Sequence, residues 1–167
     1  GADFSVSSLN AGAYSITVEY VANAYFTGTT SSAQTLTVNK YSPSIAVNTI
    51  TAVQVGSDLT ISSTLQCGGG ACSGVRDHAG GSVSFYKDSV SATNLLATDT
   101  SISAGGTASI TVSTGDALPL PAAGTAYSIV AAFNGDATNG NLNAVTSAAA
   151  TVTLTKRTPT VNVPNQS

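Results

Sequence analysis

The sequence predicts an all-β protein, and three observations support this prediction. First, only 8% of the 167 residues are charged, and Thr, Val, Ser, Gly and Asn make up much of the chain. Thr and Val favour strands, whereas Gly, Asn and Ser favour turns. Second, apolar and polar residues alternate over short segments, and no segment sustains a helical period. Third, two stretches of the chain resemble each other, which indicates a repeated β unit.

The alternation predicts about seven strands separated by turn residues. In the segment 59–65 every second residue falls on one face of a half-buried strand, with Leu59, Ile61 and Leu65 as its apolar members. Further strands are predicted around Val83 and Phe85, Ile110 and Val112, the segment 127–133, and Val152 and Leu154. Short alternating strands of this number and spacing predict an immunoglobulin-like antiparallel β-sandwich.

An internal repeat connects the two ends of the chain. The segment 11–20 resembles the segment 123–133, and Tyr14 aligns with Tyr127 after one inserted residue. The two copies lie about 115 residues apart, close to the size of one β-sandwich domain. The other matched pairs are Ile16 with Ile129, Tyr20 with Phe133, 36–40 with 152–156, and 42–47 with 158–163.

The repeat predicts the domain boundaries. Residues 41–157 form a complete module, residues 1–40 the C-terminal half of a preceding module, and residues 158–167 the first strand of a following one. Each junction is a Lys-x-(Ser/Thr)-Pro segment. Because proline fixes φ and keeps the preceding residue extended, each junction is predicted to be a stiff link. The half-module leaves its inner face bare unless a longer chain or another copy covers it.

Several motifs of the module 41–157 carry a family resemblance. They are Leu120, Ala123-Gly124-Thr125, Tyr127-Ser128-Ile129, Phe133-Asn134-Gly135-Asp136, the closing segment 152–159, and Gly81-Ser82-Val83-Ser84-Phe85-Tyr86. With these motifs the chain resembles the bacterial immunoglobulin-like repeat domains that occur in tandem in large surface proteins and adhesins. The resemblance implies a mechanical spacer or adhesive stalk, with no catalytic residues to transfer. The half-module departs from it, since Val21-Ala22-Asn23 stands where Gly-Asp is expected.

The two cysteines, Cys67 and Cys72, flank a Gly-rich loop and are predicted to form a disulfide. Such a bond indicates a secreted protein. One alternative is a metal site that adds Asp77 and His78, although structural zinc sites need four firm ligands and closer cysteines. The other alternative is a redox-active pair.

Tyr14 and Tyr127 each follow a glycine at the start of a strand. Immunoglobulin-like folds place a tyrosine corner there, whose hydroxyl bonds the backbone upstream. The alternative is a sugar-stacking aromatic, which the inward alternation of the flanking residues disfavours. His78 is the only histidine. Since no nucleophile motif or partnered carboxylate accompanies it, we expect a solvated loop residue and no catalytic triad.

Some polar residues could form a calcium site, an isopeptide cross-link or a glycosylation site, but the sequence gives each of these weak support. The oxygen-rich loop with Asn134, Asp136, Asn139 and Asn141 has only one carboxylate, so it predicts a polar turn and not a calcium site. Lys40 and Lys156 would need burial beside Asn and an acid to form isopeptide cross-links, and strand-end lysines are usually exposed. Asn165-Gln166-Ser167 fits a glycosylation sequon. No metal or cofactor is predicted.

The composition limits the classes of partner that the chain could bind. The five basic residues are scattered, which gives no nucleic-acid footprint. No apolar run is long enough to span a membrane. We therefore expect an extracellular structural module of a bacterial surface filament, stalk or adhesin. Its expected partners are neighbouring modules or copies of the same protein. The alternative is a module that binds a glycan or host protein through loops 66–81 and 134–144, possibly as an accessory domain of a secreted hydrolase.

Overall fold

A computed structural model describes residues 3–114 and 126–162 of the chain. Its strands are β1 (Gly12–Ile16), β2 (Glu19–Tyr20), β3 (Thr29–Thr30), β4 (Gln34–Val38), β5 (Ser44–Val47), β6 (Val53–Gln54), β7 (Asp58–Gln66), β8 (Val83–Lys87), β9 (Leu95–Asp99), β10 (Thr107–Ser113), β11 (Ala126–Phe133), β12 (Val145–Thr146) and β13 (Ala150–Thr155). Two short 3-10 helices span Gly74–Arg76 and Ala92–Asn94. The predicted motifs at Leu120 and Ala123-Gly124-Thr125 and the sequon at Asn165 lie outside the described residues.

The strands follow the alternation of the sequence, which confirms the all-β prediction. In β7 the residues Leu59, Ile61 and Leu65 are buried, while the residues that alternate with the buried positions are exposed or only partly buried. In β10 the buried positions are likewise every second residue, including Ile110 and Val112. This period of two is what a strand with one buried face requires. No helix in the described part of the chain is long and apolar enough to cross a membrane.

Two larger sheets share one hydrophobic core. The first has the antiparallel order β10-β7-β5, and the second has the order β6-β13-β11-β8-β9, with β12 paired to β11. In the second sheet only β6 and β13 run parallel to each other. Buried side chains from both sheets form a single cluster, in which Phe85 and Phe133 are the largest fully buried members. The core therefore lies between residues 45 and 154.

The N-terminal segment forms two small paired units outside that core. β1 pairs antiparallel with β4, which sets Tyr14 opposite Leu36, and β2 pairs with β3. The same register recurs in the larger sheet, where β11 pairs with β13 and Tyr127 lies opposite Val152. The chain thus contains two hairpins with equivalent pairing at the positions that the sequence repeat aligns.

A serine repeats the same local bond in both hairpins. After β1, Ser31 N donates to Val18 O at 2.9 Å, and Val18 N donates to Ser31 Oγ at 3.0 Å. In β11, Ser147 N donates to Ala131 O at 2.8 Å, and Ala131 N donates to Ser147 Oγ at 3.0 Å. In each case a serine hydroxyl replaces one backbone acceptor of the strand pair.

Candidate functional site at the junction of two loops

The loop 134–144 is organised around the buried carboxylate of Asp136. Its Oδ1 accepts the backbone N–H groups of Asn139 at 2.6 Å and Gly140 at 2.5 Å. Its Oδ2 accepts those of Asn141 at 2.7 Å and Leu142 at 3.1 Å. Burial by itself raises the pKa of the Asp136 carboxyl, but the four N–H donors outweigh it, and the pKa lies below its ordinary value. The ionised carboxylate therefore fixes the shape of the loop.

The loop presents Asn141, whose side chain is almost fully buried. Its Nδ2 donates to Asn10 Oδ1 at 2.9 Å and to Val75 O at 2.7 Å. Its Oδ1 accepts the backbone N–H of Ala11 at 2.6 Å. Asn141 therefore joins three parts of the chain: its own loop, the loop 66–81, and the residues that lead into β1.

The same loop also holds Tyr41, which links residues 1–40 to the rest of the chain. Tyr41 N donates to Asn141 O at 2.7 Å, and Asn143 N donates to Tyr41 O at 2.9 Å. The Arg76 guanidinium lies 5.1 Å from the centroid of the Tyr41 ring, within the range of a cation–π contact. Tyr41 is therefore held in place by both loops.

The predicted disulfide between Cys67 and Cys72 is present. Its S–S distance is 2.08 Å and its Cα–Cα distance is 4.9 Å, and both cysteines belong to the core cluster. The loop it closes turns at Gly68 and Gly69, which have φ of +69° and +86°. Closing so short a ring stabilises the fold by about 2 kcal/mol. The 3-10 helix that carries the Val75 carbonyl begins at Gly74, just after the disulfide.

The alternative metal site at these cysteines is not formed. Both sulfurs are bonded to each other, and within residues 3–114 and 126–162 no three His, Cys, Asp or Glu side chains group as metal ligands. Lys40 and Lys156 are exposed, so neither has the buried setting that an isopeptide bond requires.

His78 contradicts its prediction as a solvated loop residue, because it is only 7% exposed. The loop folds back on the sheet at Gly81, where an added Cβ would lie 2.6 Å from the Phe133 ring and 2.9 Å from His78 O. Only glycine permits this approach, and the sequence pattern did not reveal it. Asp77 Oδ1 lies 3.9 Å from His78 Nδ1, which is too long for a hydrogen bond. The pair is therefore not a hydrogen-bonded acid–base couple.

The two predicted corner tyrosines have different surroundings. The Tyr14 hydroxyl donates to Asn10 O at 2.8 Å, an upstream backbone contact of the predicted kind. The Tyr127 ring is buried in the core, with Lys87 Nζ 5.8 Å from its centroid. Burial, and then the charge of Asp88, raise the pKa of Tyr127. The backbone just upstream of Tyr127, where its predicted partner lies, falls outside the described residues.

The junction brings together residues that the sequence treated separately. Asp136 and Asn141 were predicted to form a polar turn, and loops 66–81 and 134–144 were predicted as possible ligand-binding loops. The structure joins these loops to each other and to Asn10 and Ala11. Most of the contacts use backbone groups, which carry no sequence signal. Of this arrangement, the sequence predicted only a polar turn around Asp136.

No protein-family model matches this sequence, and no curated protein matches it. The resemblance to bacterial immunoglobulin-like repeats therefore stays a prediction. The junction itself consists of directed hydrogen bonds between Asn10 and Ala11 on one side and the loops 66–81 and 134–144 on the other.

Proposed function

We propose that this chain belongs to an extracellular structural protein built from tandem immunoglobulin-like β-sandwich modules. In this proposal it is a stiff spacer or assembly unit of a bacterial surface filament, stalk or adhesin, and it performs no catalysis. Residues 41–157 are one module, residues 1–40 the C-terminal half of the preceding module, and residues 158–167 the first strand of the following one.

The observation that carries the proposal is the matched pairing of the two hairpins. Tyr14 opposes Leu36 as Tyr127 opposes Val152, and Ser31 bonds its strand as Ser147 does. The register and the side-chain bond both recur at the positions that the sequence repeat aligns. The equivalence supports a repeated unit, of which the N-terminal hairpin is one half.

The shared core supports the sandwich part of the proposal. Inward side chains of the sheet β10-β7-β5 meet those of the sheet that contains β11 and β13. Two mainly antiparallel sheets of short strands around one core are what an immunoglobulin-like module requires. The disulfide supports an oxidising, extracellular setting, because such bonds persist there.

The junction favours a spacer over a ligand-binding module. Parts of the two loops that would bind a glycan or protein already hold Asn10, Ala11 and Tyr41. A unit fixed at two points to its neighbour resists bending, which is the property a stalk needs. The expected partners of the chain are therefore its neighbouring modules.

A chain extended at its N-terminus tests this function. A copy of residues 41–112 placed before Gly1 would supply the missing sheet for the N-terminal hairpin, because residues 1–40 already correspond to the rest of that module. We expect fluorescence of the apolar dye ANS to fall, because the exposed side chains of β1 and β4 become covered. Small-angle scattering should show the added residues as a folded part of the molecule, with no flexible coil in the profile.

The matched control carries Leu59→Asp and Ile61→Asp in the added copy only. These changes place charges on the face that is meant to cover the hairpin, so the dye should still bind. If the unaltered extension also leaves dye binding unchanged, or adds a flexible coil to the scattering profile, the proposed function is wrong.

A further inference from the structure

The Asn141 side chain is buried and polar, and two of its three hydrogen bonds reach residues outside the module 41–157. We propose that Asn141 locks the preceding unit (residues 9–38) at a fixed angle to the module 41–157, and that Asp136 shapes the loop that presents it. This inference deepens the proposed spacer function by naming the residue and the surface that make the joint stiff.

The bonding of Asn141 is directed across the junction. Two of its three side-chain bonds reach Asn10 Oδ1 and Ala11 N, which are about 130 residues away in the sequence. The third reaches Val75 O in the neighbouring loop. Both hydrogens of the amide nitrogen and one acceptor site of its oxygen are used. Since Asn141 is only 5% exposed, water does not readily replace a lost bond.

The loop does not need the Asn141 side chain to keep its shape. The Asp136 carboxylate binds four successive backbone N–H groups of the loop, and Tyr41 pairs with its main chain at Asn141 and Asn143. The side chain of Asn141 is therefore available for the contact with the preceding unit.

The position of the bonds explains how one residue fixes an angle. Tyr41 follows β4, whereas Ala11 precedes β1, and these two strands are neighbours in one hairpin. A single attachment at Tyr41 leaves the hairpin free to rotate about the link. A second attachment at Asn10 and Ala11, just before the adjacent strand, removes that rotation.

The test compares two alanine variants in the same loop of the full 167-residue chain. Asn141→Ala removes the lock, while Asn143→Ala removes only an exposed side-chain bond to Ser42 Oγ. Residual dipolar couplings give the alignment of the hairpin 12–38 and of residues 44–113 separately. In the wild type and in Asn143→Ala we expect one common alignment. In Asn141→Ala we expect two different alignments and about tenfold faster hydrogen exchange at the Ala11 amide.

A second variant protects the test against misfolding of the module. Asn10→Ala changes an exposed residue of the preceding unit and removes one of the two bonds that cross the junction. It should loosen the joint in the same direction and to a smaller extent. If Asn141→Ala folds and both variants retain one common alignment, the lock does not exist. If the wild type itself shows two averaged alignments, the stiff spacer fails as well, so the two failures are distinguishable.

Discussion

The two hairpins of this chain have equivalent pairing and opposite surroundings. Ile16, Val18 and Tyr20 are 38%, 67% and 43% exposed in the N-terminal hairpin. Their counterparts in β11, which are Ile129, Ala131 and Phe133, are 0%, 0% and 1% exposed. The pairing register and the serine bond are nonetheless the same.

The register of a hairpin and its burial are therefore independent in this chain. The two hairpins share one register, although only the hairpin of β11 has a buried face. Burial depends on a second sheet. For β11 the strands β5, β7 and β10 supply the residues that cover its inner face, and for β1 no strand of the described residues does so.

The loops that follow these strands also differ in the group that organises them. In the N-terminal hairpin, Asn23 Oδ1 accepts the N–H groups of Tyr25 at 2.8 Å and Phe26 at 2.9 Å. In the larger sheet, the Asp136 carboxylate accepts four such groups. A neutral amide accepts the hydrogen bonds in one loop and a charged carboxylate accepts them in the other. We therefore expect acid to weaken the hydrogen bonds of the second loop only.

The largest expected difference between the hairpins concerns their matched isoleucines. Ile129→Ala should lower the free energy of unfolding by about 2–5 kcal/mol, because it leaves a cavity in the shared core. Ile16→Ala should lower it by about 1 kcal/mol or less, since the side chain is already partly in water. Urea denaturation of both variants, followed by circular dichroism, measures the difference. Equal losses would mean that the N-terminal hairpin is buried in solution.

A smaller difference is expected for the matched serines. Ser147→Ala leaves the buried N–H of Ala131 without its acceptor, at a cost of about 1–3 kcal/mol in the free energy of unfolding. Ser31→Ala exposes the N–H of Val18 to water, so its cost should stay within about 0.5 kcal/mol. The same denaturation experiment checks both. A costly Ser31→Ala would show that Val18 is covered, which the comparison does not allow.

The smallest expected effect is a difference in pH dependence between the Asp136 loop and the Asn23 loop. Because the folded pKa of Asp136 lies below its unfolded value of 3.8, its stabilisation is complete above that value and is lost as the pH falls through the folded pKa. In an NMR titration from about pH 6 to pH 2, the amide shifts of Gly140 and Asn141 should move only below about pH 4. Those of Tyr25 and Phe26 should not follow this transition.

Asp136→Asn is the control for the titration. It removes the titrating group, so the shifts of Gly140 and Asn141 should become independent of pH over that range. A midpoint above the ordinary pKa of an aspartate in the wild type would contradict the inferred hydrogen bonding.

The sequence predicted several local parts of the candidate site, but it did not predict how they come together. The cysteine spacing predicted the disulfide, and the Asn- and Gly-rich segment predicted the turn around Asp136. The burial of His78 was missed, because it depends on the close approach of Gly81 to Phe133. The contact of Asn141 with Ala11 was missed because a backbone N–H has no residue type to indicate it.

By itself, the sequence determined the strand faces, the disulfide and the recurrence of the hairpin. These features depend on residues that are close in the chain or on a period of two along a strand. Only the tertiary structure decided which copy of the hairpin lies in a core and which lies open. Only the tertiary structure, too, brought loops 66–81 and 134–144 against the residues before β1, because contacts between residues about 130 positions apart depend on how the sheets pack.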